Sequence, residues 1–166
     1  KPFLEAGIPI YIDKPIAVES FTLDKILKLQ SYKGQIFSHS ALRYANEFNF
    51  DQKYIDSFGK IEEIIAQSPK DWCHYSIHII EPVINSFQLD NDFSIISKNN
   101  YEEAGRVLNV KWGNSLSVKF ITTGSSNSAF SIEIIGSKKS EVINFKDTYS
   151  AFKSCILDFI ERLNNN

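Results

Sequence analysis

Two histidines, His74 and His78, are the side chains of this sequence best suited to proton transfer. They lie four residues apart in a segment with helical periodicity, so they share a face of the predicted helix. Histidine titrates near neutral pH, which suits it to general acid–base chemistry. We therefore take His78 as a candidate acid–base residue, with a packed structural histidine as the alternative. For His74 we favour the simpler interpretation, a packed or surface residue of the helix.

A metal site is the second chemistry that these histidines suggest. Two histidines at i and i+4 on a helix can hold zinc, but the zinc-peptidase signature also requires Glu directly after the first His. Tyr75 stands at that position, and no third ligand has a matching spacing. The sequence therefore predicts no metal site. A small metal hydrolase that uses His39, His74 and His78 is kept only as an alternative.

A charged stretch, Asp13-Lys14-Pro15, directly follows the apolar run of residues 8–12. The run is rich in isoleucine, which predicts a strand buried on both faces, as in parallel sheets. Charged residues at the carboxyl end of such a strand lie where open α/β sheets bind ligands. Pro15 disfavours helical dihedrals at Lys14, so we expect an extended exit from the sheet with Lys14 at the strand tip. The alternative is a strand-end charge that points into water.

Arg43 is the third candidate, because it follows a short predicted strand at residues 35–40. A guanidinium at this place can clamp a carboxylate or a phosphate. A surface ion pair is the commoner role of a lone arginine and remains the alternative. The sequence has neither a Gly-rich phosphate loop nor a Gly-x-Ser-x-Gly elbow, so no phosphate-loop or serine-hydrolase chemistry is predicted.

The composition excludes several classes of protein. The chain has 166 residues with a formal net charge of −2, which argues against a nucleic-acid binder. No apolar run approaches the roughly 20 residues that span a bilayer, so no membrane segment is predicted. Cys73 and Cys155 match no metal or redox spacing. They are expected to be free, buried thiols of a cytoplasmic protein.

The elements that must position these residues follow from hydrophobic periodicity. Period-two alternation after residue 92 predicts strands that pair antiparallel as a meander, and helices that cover one face of the sheet. The predicted fold class is therefore α+β, with a short α/β remnant at the N-terminus. The predicted helices are 19–32, 71–87 with a kink at Pro82, and 148–163, and the predicted strands are 60–67, 93–95, 107–112, 116–120, 129–135 and 141–145.

The last predicted helix is amphipathic and is expected to lie on the sheet. Segments 41–50 and 51–59 fit either helix or loop. The apolar face predicted for the last helix consists of Tyr149, Phe152, Ile156, Phe159, Ile160 and Leu163.

Three stretches, taken in order and at their spacing, resemble the glucose–fructose oxidoreductase and inositol dehydrogenase family of nicotinamide-dependent enzymes. Residues 6–17 resemble the family's Glu-Lys-Pro motif, with Asp13 in place of the usual Glu. Residues 37–44 resemble the strand and arginine that open the family's substrate domain. Residues 75–81 resemble its Gly-x-His stretch, with Ser76 in place of Gly. The resemblance covers nearly the whole chain and implies a C-terminal domain of the glyceraldehyde-3-phosphate-dehydrogenase-like type.

The resemblance also implies roles for individual residues. Lys14 and His78 are the catalytic residues that it implies, with Lys14 on a substrate hydroxyl and His78 as the acid–base. Lys14 and Pro15 are the cofactor-binding residues, and Arg43, His74 and Tyr75 line the substrate pocket. The family often carries an Asp where this sequence has His74, so the usual carboxylate partner of the catalytic histidine is absent.

The implied domain organisation is a remnant of a dinucleotide-binding domain at 1–15 and a substrate-binding and oligomerisation domain at 16–166. We expect a parent protein that uses NAD or NADP on a small sugar, cyclitol or related hydroxyl compound. This chain alone is expected to bind no cofactor and to be inactive. A homo-oligomer formed through the open sheet face is also expected. The alternative is a non-enzymatic binding or scaffolding module that reuses the fold.

Overall fold

The structure is a computed structural model that describes residues 1–101 and 104–164. Its helices are α1 (Pro2–Glu5), α2 (Ser20–Leu27), α3 (Gln52–Asp56), α4 (Trp72–Tyr75), α5 (Ile77–Ser86) and α6 (Thr148–Asn164), with 3₁₀ helices at Ala41–Tyr44 and Asn46–Phe48. Its strands are β1 (Ile10–Tyr11), β2 (Ile36–Phe37), β3 (Ile61–Ser68), β4 (Phe93–Tyr101), β5 (Gly105–Trp112), β6 (Leu116–Thr122), β7 (Ser131–Gly136) and β8 (Ser140–Asn144).

Six strands form the main sheet in the order β4-β5-β6-β3-β7-β8. The predicted simple meander is wrong at one point, because β3 lies between β6 and β7 and pairs in parallel with β6. The connection of residues 123–130 is long enough to cross the end of β3. Thr123 N–H donates to the Ser68 carbonyl at 3.0 Å, which ties this connection to β3. All other neighbouring strands pair antiparallel, and the α+β fold class is confirmed.

The core lies on one face of this sheet. Alternate residues of β3 and of its two neighbours point into it, as the period of two requires. Helix α5 covers the face with Ile79 and Val83, both fully buried. The fully buried or nearly buried residues of the three central strands are Ile64, Ala66, Ser68, Val118, Phe120, Thr122, Ile132 and Ile134.

Strands β1 and β2 form a separate two-stranded parallel sheet. The prediction that the first strand is buried on both faces is wrong, because Ile8 is 47% exposed and Tyr11 is half-buried. Within the described residues β2 is the one strand that pairs with β1, so no strand covers the other edge of β1. The parallel pairing places the segments after both strands at the same edge of this small sheet.

Two predicted helices differ from the observed ones. Helix α2 ends at Leu27 and buries none of its residues. The helix predicted at 71–87 is split into α4 and α5 at Ser76, whereas Pro82 lies inside α5.

Helix α6 does not lie on the sheet as predicted. It packs mainly on the 3₁₀ helix Ala41–Tyr44, and its buried residues are Ala151 and Cys155. Its inner side is partly polar, and Asp158 accepts a hydrogen bond from the Tyr44 hydroxyl at 2.5 Å. The face predicted to be buried is largely exposed at Tyr149, Phe152, Ile156, Ile160 and Leu163, while Phe159 is half-buried.

The two cysteines are free, but only Cys155 is buried as predicted, and Cys73 is exposed. None of the helices in the described part of the chain is both long enough and apolar enough to cross a membrane.

Candidate functional site

A cleft of about 460 Å³ opens where β1 and β2 end. The carboxyl ends of parallel strands meet at one edge, which is where open α/β sheets place their ligands. One wall is the segment 14–18, and the other walls come from Ser38, His39 and the α4–α5 region. The complete lining is Lys14, Pro15, Ile16, Ala17, Val18, Leu23, Ser38, His39, Trp72, Cys73, Ser76, Ile77 and Glu81.

Lys14 stands at the border of this cleft and reaches the start of the α4–α5 region. Its Nζ donates to the His74 carbonyl oxygen at 3.2 Å and lies 5.2 Å from the centroid of the Tyr75 ring. The predicted position of Lys14 at the tip of the strand is consistent with its contacts to His74 and Tyr75. Lys14 therefore connects the cleft to a second group of side chains, which we call the Tyr75 cluster: Lys14, Lys70, Tyr75, His78 and Phe130.

His78 is the buried acid–base candidate of the Tyr75 cluster, with 8% of the residue exposed. Its ring packs edge-on against Tyr75 at 5.6 Å and against Phe130 at 5.3 Å between centroids. Burial, and then the nearby positive charge of Lys14, lower the pKa of His78 to about 3. The imidazole is therefore neutral at physiological pH, with one nitrogen free to accept a proton.

Ser40 holds the Nδ1 side of this imidazole. Its Oγ lies 2.7 Å from Nδ1 of His78 and also accepts the N–H of Leu42 at 3.2 Å, as the N-cap of the 3₁₀ helix. A hydroxyl oxygen can accept two hydrogen bonds, so Oγ can also accept from Nδ1–H. The contact orients the imidazole ring, and in the tautomer that carries its proton on Nδ1 the nitrogen without a proton is Nε2.

Glu81 fixes the exit of β2 and lies one helical turn after His78. It accepts the Ser40 N–H at 2.6 Å and an Arg43 guanidinium N–H at 3.3 Å, and it also bonds Nδ1 of His39. Arg43 thus forms an ion pair with Glu81, which is the commoner role weighed for it above. Arg43 does not line the cleft and is not brought to the Tyr75 cluster.

The structure separates His74 from His78. Nδ1 of His74 lies 2.8 Å from Asp71 Oδ1, and the His74 side chain is 59% exposed. The predicted common face is wrong because the helix is interrupted at Ser76. His39 bonds Glu81 instead, so the three histidines do not converge. Residues 1–101 and 104–164 contain no group of three His, Cys, Asp or Glu residues placed to hold a metal.

Sequence reasoning missed four residues of this region. Ser40 and Glu81 could have been predicted from the sequence. Ser40 follows strand β2, and Glu81 lies three residues after His78 on the same helix. Lys70 follows the Ser-Pro break after β3, which is also a strand-end position. Phe130 carries no such signal, because only the crossing of residues 123–130 brings it to His78.

Comparison with solved structures identifies the fold. A dehydrogenase (MviM) from Clostridium difficile matches 99% of this chain with a TM-score of 0.68 at 13% identity. Myo-inositol 2-dehydrogenase from Lactobacillus plantarum matches 98% with a TM-score of 0.65 at 14% identity. Levoglucosan dehydrogenase in complex with NADH and levoglucosan matches 85% with a TM-score of 0.64 at 16% identity.

This chain has the α+β fold of the C-terminal domain of those dehydrogenases. It spans 65%, 64% and 49% of the three matched chains, that is, about half to two thirds of their length. No protein-family model matches the sequence, and no curated protein sequence matches it either. The resemblance described above is thus supported at the level of the fold.

Proposed function

We propose that this chain is the substrate-binding part of an NAD(P)-dependent oxidoreductase that acts on a hydroxyl group of a sugar, a cyclitol or a related compound. The observation that carries the proposal is the position of Lys14. Its ammonium group borders the cleft on one side and meets Tyr75 on the other, and its charge acts on His78. The cation and the neutral imidazole thus lie against the same ring, that of Tyr75, although His78 does not line the cleft itself.

The cleft fits the nicotinamide end of the cofactor, because apolar side chains form most of the wall beside Pro15. In this proposal Lys14 and Pro15 hold that end, and the cofactor supplies or accepts the hydride when bound. The sequence has no Gly-rich loop for a pyrophosphate. The proposal therefore includes the expectation that this chain alone is inactive.

The chain's own residues perform the proton chemistry in this proposal. Lys14 donates a hydrogen bond to the substrate oxygen and stabilises negative charge that develops on it. With the ring proton on Nδ1 and donated to Ser40 Oγ, His78 accepts the hydroxyl proton at Nε2 in the oxidation direction. Ser40 Oγ accepts from Nδ1–H before and after this transfer, so it partners Nδ1 in both protonation states of His78.

Tyr75 and His74 both remain part of the proposed substrate site, but they contribute to it in different ways. Tyr75 contacts both Lys14 and His78, and in this proposal it forms a wall of the substrate site. His74 contributes the backbone carbonyl that holds Lys14, while its side chain points to Asp71. Arg43 acts only through Glu81, as a residue that positions the segment carrying Ser40.

Oligomerisation through the open sheet face is the second part of the proposal. This face carries half-exposed apolar residues, among them Ile65 and Ile121, beside Lys119, which pairs with Glu63 at 3.3 Å. Apolar side chains interspersed with polar ones are typical of a subunit interface.

The test is a titration of the isotope-labelled chain with myo-inositol and D-glucose, followed by NMR. We expect shifts of the resonances of Lys14, Tyr75 and His78, and loss of these shifts in Lys14→Gln. Lys33→Gln, an exposed lysine in a turn, is the matched control and is expected to behave as the wild type. The same shifts in Lys14→Gln, or shifts confined to other parts of the chain, would contradict the proposal.

A non-enzymatic binding module is the second candidate. It is favoured by His74, whose exposed side chain stands where the family often carries a carboxylate. The two candidates differ once NAD(P) is held by a nucleotide-binding domain joined to this chain. The first predicts polyol-dependent reduction of the cofactor that is lost in His78→Gln, and the second predicts polyol binding without any turnover.

A further inference from the structure

Two lysines of the Tyr75 cluster lie against the same aromatic ring. The ammonium nitrogens of Lys14 and Lys70 are 5.2 Å and 4.7 Å from the centroid of the Tyr75 ring. Lys70 Nζ also donates to the Tyr75 hydroxyl at 2.7 Å. The two positive charges repel each other, since their separation cannot exceed the sum of the two ring distances.

Within the described residues, the hydrogen bonds and ring contacts of these two ammonium groups are all to neutral groups. Lys14 meets a carbonyl oxygen and a ring face, and Lys70 meets a hydroxyl and the same ring. Neither lysine forms an ion pair with a carboxylate within residues 1–101 and 104–164. The cluster therefore holds two positive charges that the described residues do not compensate.

The nearby carboxylates are already engaged elsewhere. Asp71 accepts the His74 backbone N–H and bonds the His74 ring. Glu81 accepts three donors on the β2 side of the α5 helix. Asp13 is exposed and forms no ion pair with either lysine within the described residues. The cluster is consequently short of negative charge.

The backbone at Lys70 is fixed by an unusual conformation and by two hydrogen bonds. Its φ of +58° lies in the left-handed region, which is uncommon for residues other than glycine. Its N–H donates to the Ser125 carbonyl at 3.0 Å, and its carbonyl accepts the Gly124 N–H at 2.9 Å. Gly124, the residue that donates to Lys70, itself packs closely against another segment, because a Cβ there would lie 2.8 Å from the Gly105 nitrogen. Backbone strain of this kind is concentrated at functional sites.

We propose that Lys14 and Lys70 bind an anionic group of the substrate, a carboxylate or a phosphate carried by a polyol, beside the hydroxyl that reacts at His78. This inference rests on the proposed function and narrows its substrate class. Charge-assisted hydrogen bonds from two ammonium groups are strong and select for an oxyanion. A neutral polyol leaves both charges uncompensated and therefore binds more weakly.

A bound oxyanion also changes the electrostatics at His78. Lys14 is the charge that acts on His78, while its other described neighbours, Tyr75, Phe130 and Ser40, are neutral. An anion at Lys14 offsets this charge, so the pKa of His78 rises on binding. This readout reports on Lys14 and His78 directly and does not require turnover.

The experiment is a calorimetric and NMR titration of the 166-residue chain with D-gluconate, D-glucose 6-phosphate and D-glucose. We expect at least one of the two anions to bind about ten-fold or more tightly than glucose, which corresponds to about 1.4 kcal/mol. This preference is expected to weaken with added salt. Preference for gluconate identifies a carboxylate as the anionic group, and preference for the phosphate ester identifies a phosphate.

Variants assign the preference to Lys70. Lys70→Gln should remove most of the preference for the anion, whereas Lys70→Arg, which keeps the charge, should retain it. Lys153→Gln changes an exposed lysine of α6 and is expected to leave all three affinities unchanged. If Lys70→Gln does not fold, Tyr75→Phe tests the same point, because it removes the hydroxyl that anchors the Lys70 ammonium group.

The outcomes separate this inference from the proposed function. If glucose shifts the Lys14 and His78 resonances and binds as tightly as both anions, the inference is wrong and the proposed function stands. An anion preference that Lys70→Gln and Tyr75→Phe both retain also overturns the inference. If no polyol, charged or neutral, shifts those resonances, the proposed function fails and the inference fails with it.

Discussion

The Ser40 hydroxyl lies 2.7 Å from Nδ1 of His78, and both side chains are buried. The contact joins the 3₁₀ helix after β2 to helix α5, which are far apart in sequence. It satisfies a polar atom that water does not reach, and it sets the orientation of the imidazole. In the dehydrogenase family that this chain resembles, a carboxylate often stands four residues before the histidine. Here Ser40 holds the ring, and that carboxylate position is taken by the exposed His74.

Replacement of Ser40 by alanine should therefore act on both stability and His78. The change leaves the buried Nδ1 without its partner, which costs about 1–3 kcal/mol in the free energy of unfolding. Urea unfolding measures this loss. The ¹⁵N resonances of the imidazole should shift as well, because Nδ1 loses the hydroxyl group that holds the tautomer.

Ser38→Ala is the matched control for this prediction. Ser38 lies two residues earlier in the same segment and is half-buried, and the described residues offer its hydroxyl no hydrogen-bond partner. Its replacement should change stability by less than about 0.5 kcal/mol. Equal effects of the two substitutions, or unchanged imidazole resonances in Ser40→Ala, would show that Ser40 does not hold His78.

Acid should destabilise the protein through His78. Burial and the charge of Lys14 lower the pKa of His78 to about 3 in the folded chain, against about 6.5 when unfolded. Below about pH 6.5 the unfolded state binds a proton at His78 and the folded state does not, so stability falls as the pH falls. The expected slope is roughly 1.4 kcal/mol per pH unit once the pH is well below 6.5.

Unfolding free energies between about pH 7 and pH 5 isolate this contribution, because carboxylates titrate mainly below that range. His78→Gln should remove the slope, while His74→Gln, at an exposed position, should keep it. If the unfolding free energy of the wild type does not change over this range, or if His78→Gln keeps the slope, His78 is not its cause.

The sequence carried enough information to locate Lys14 and His78 but not to describe what surrounds them. The apolar run that stops at Asp13 predicted a strand tip with Lys14 on it, and the strand pairs in parallel as expected. The helix that carries His78 followed from periodicity, although its interruption at Ser76 did not. Phe130 reaches His78 only because β3 is inserted between β6 and β7. Strand alternation defines faces, not the order of strands in a sheet.

Helix α6 is a second case in which hydrophobic periodicity did not predict the tertiary contacts. Its apolar stripe predicted the buried face, but the inner side carries Cys155, Asp158 and Arg162 instead. Tyr44 donates to Asp158, and the Arg162 guanidinium lies 5.4 Å from the centre of the Phe37 ring. These polar partners come from distant segments, so the periodicity of one helix could not reveal them.

Glu81 should contribute to stability more than a surface carboxylate does. Its side chain is 15% exposed and accepts hydrogen bonds from Ser40 and Arg43 while it also bonds His39. Glu81→Gln keeps one acceptor but removes the charge that these donors share. We expect a loss of about 1–3 kcal/mol, measured by urea unfolding at neutral pH.

Glu62→Gln is the control for Glu81, because Glu62 is exposed on β3 and forms no ion pair within the described residues. It should change stability by less than about 0.5 kcal/mol. A similarly small effect of Glu81→Gln would mean that the three donors find water or other acceptors equally well.

The last prediction concerns association through the open sheet face. Ile121 lies on this face, paired with Val107 on one side and with Gln67 on the other. A charge at Ile121 remains accessible to water in a free subunit but is buried between two subunits, so Ile121→Glu should dissociate an oligomer while the fold is retained. Ile160→Glu places the same charge on the exposed stripe of α6, where Ile160 is 45% exposed, and should leave association unchanged. Sedimentation velocity over a range of concentrations measures both. A wild-type chain that stays monomeric throughout, or dissociation by Ile160→Glu alone, would rule out the sheet face as the interface.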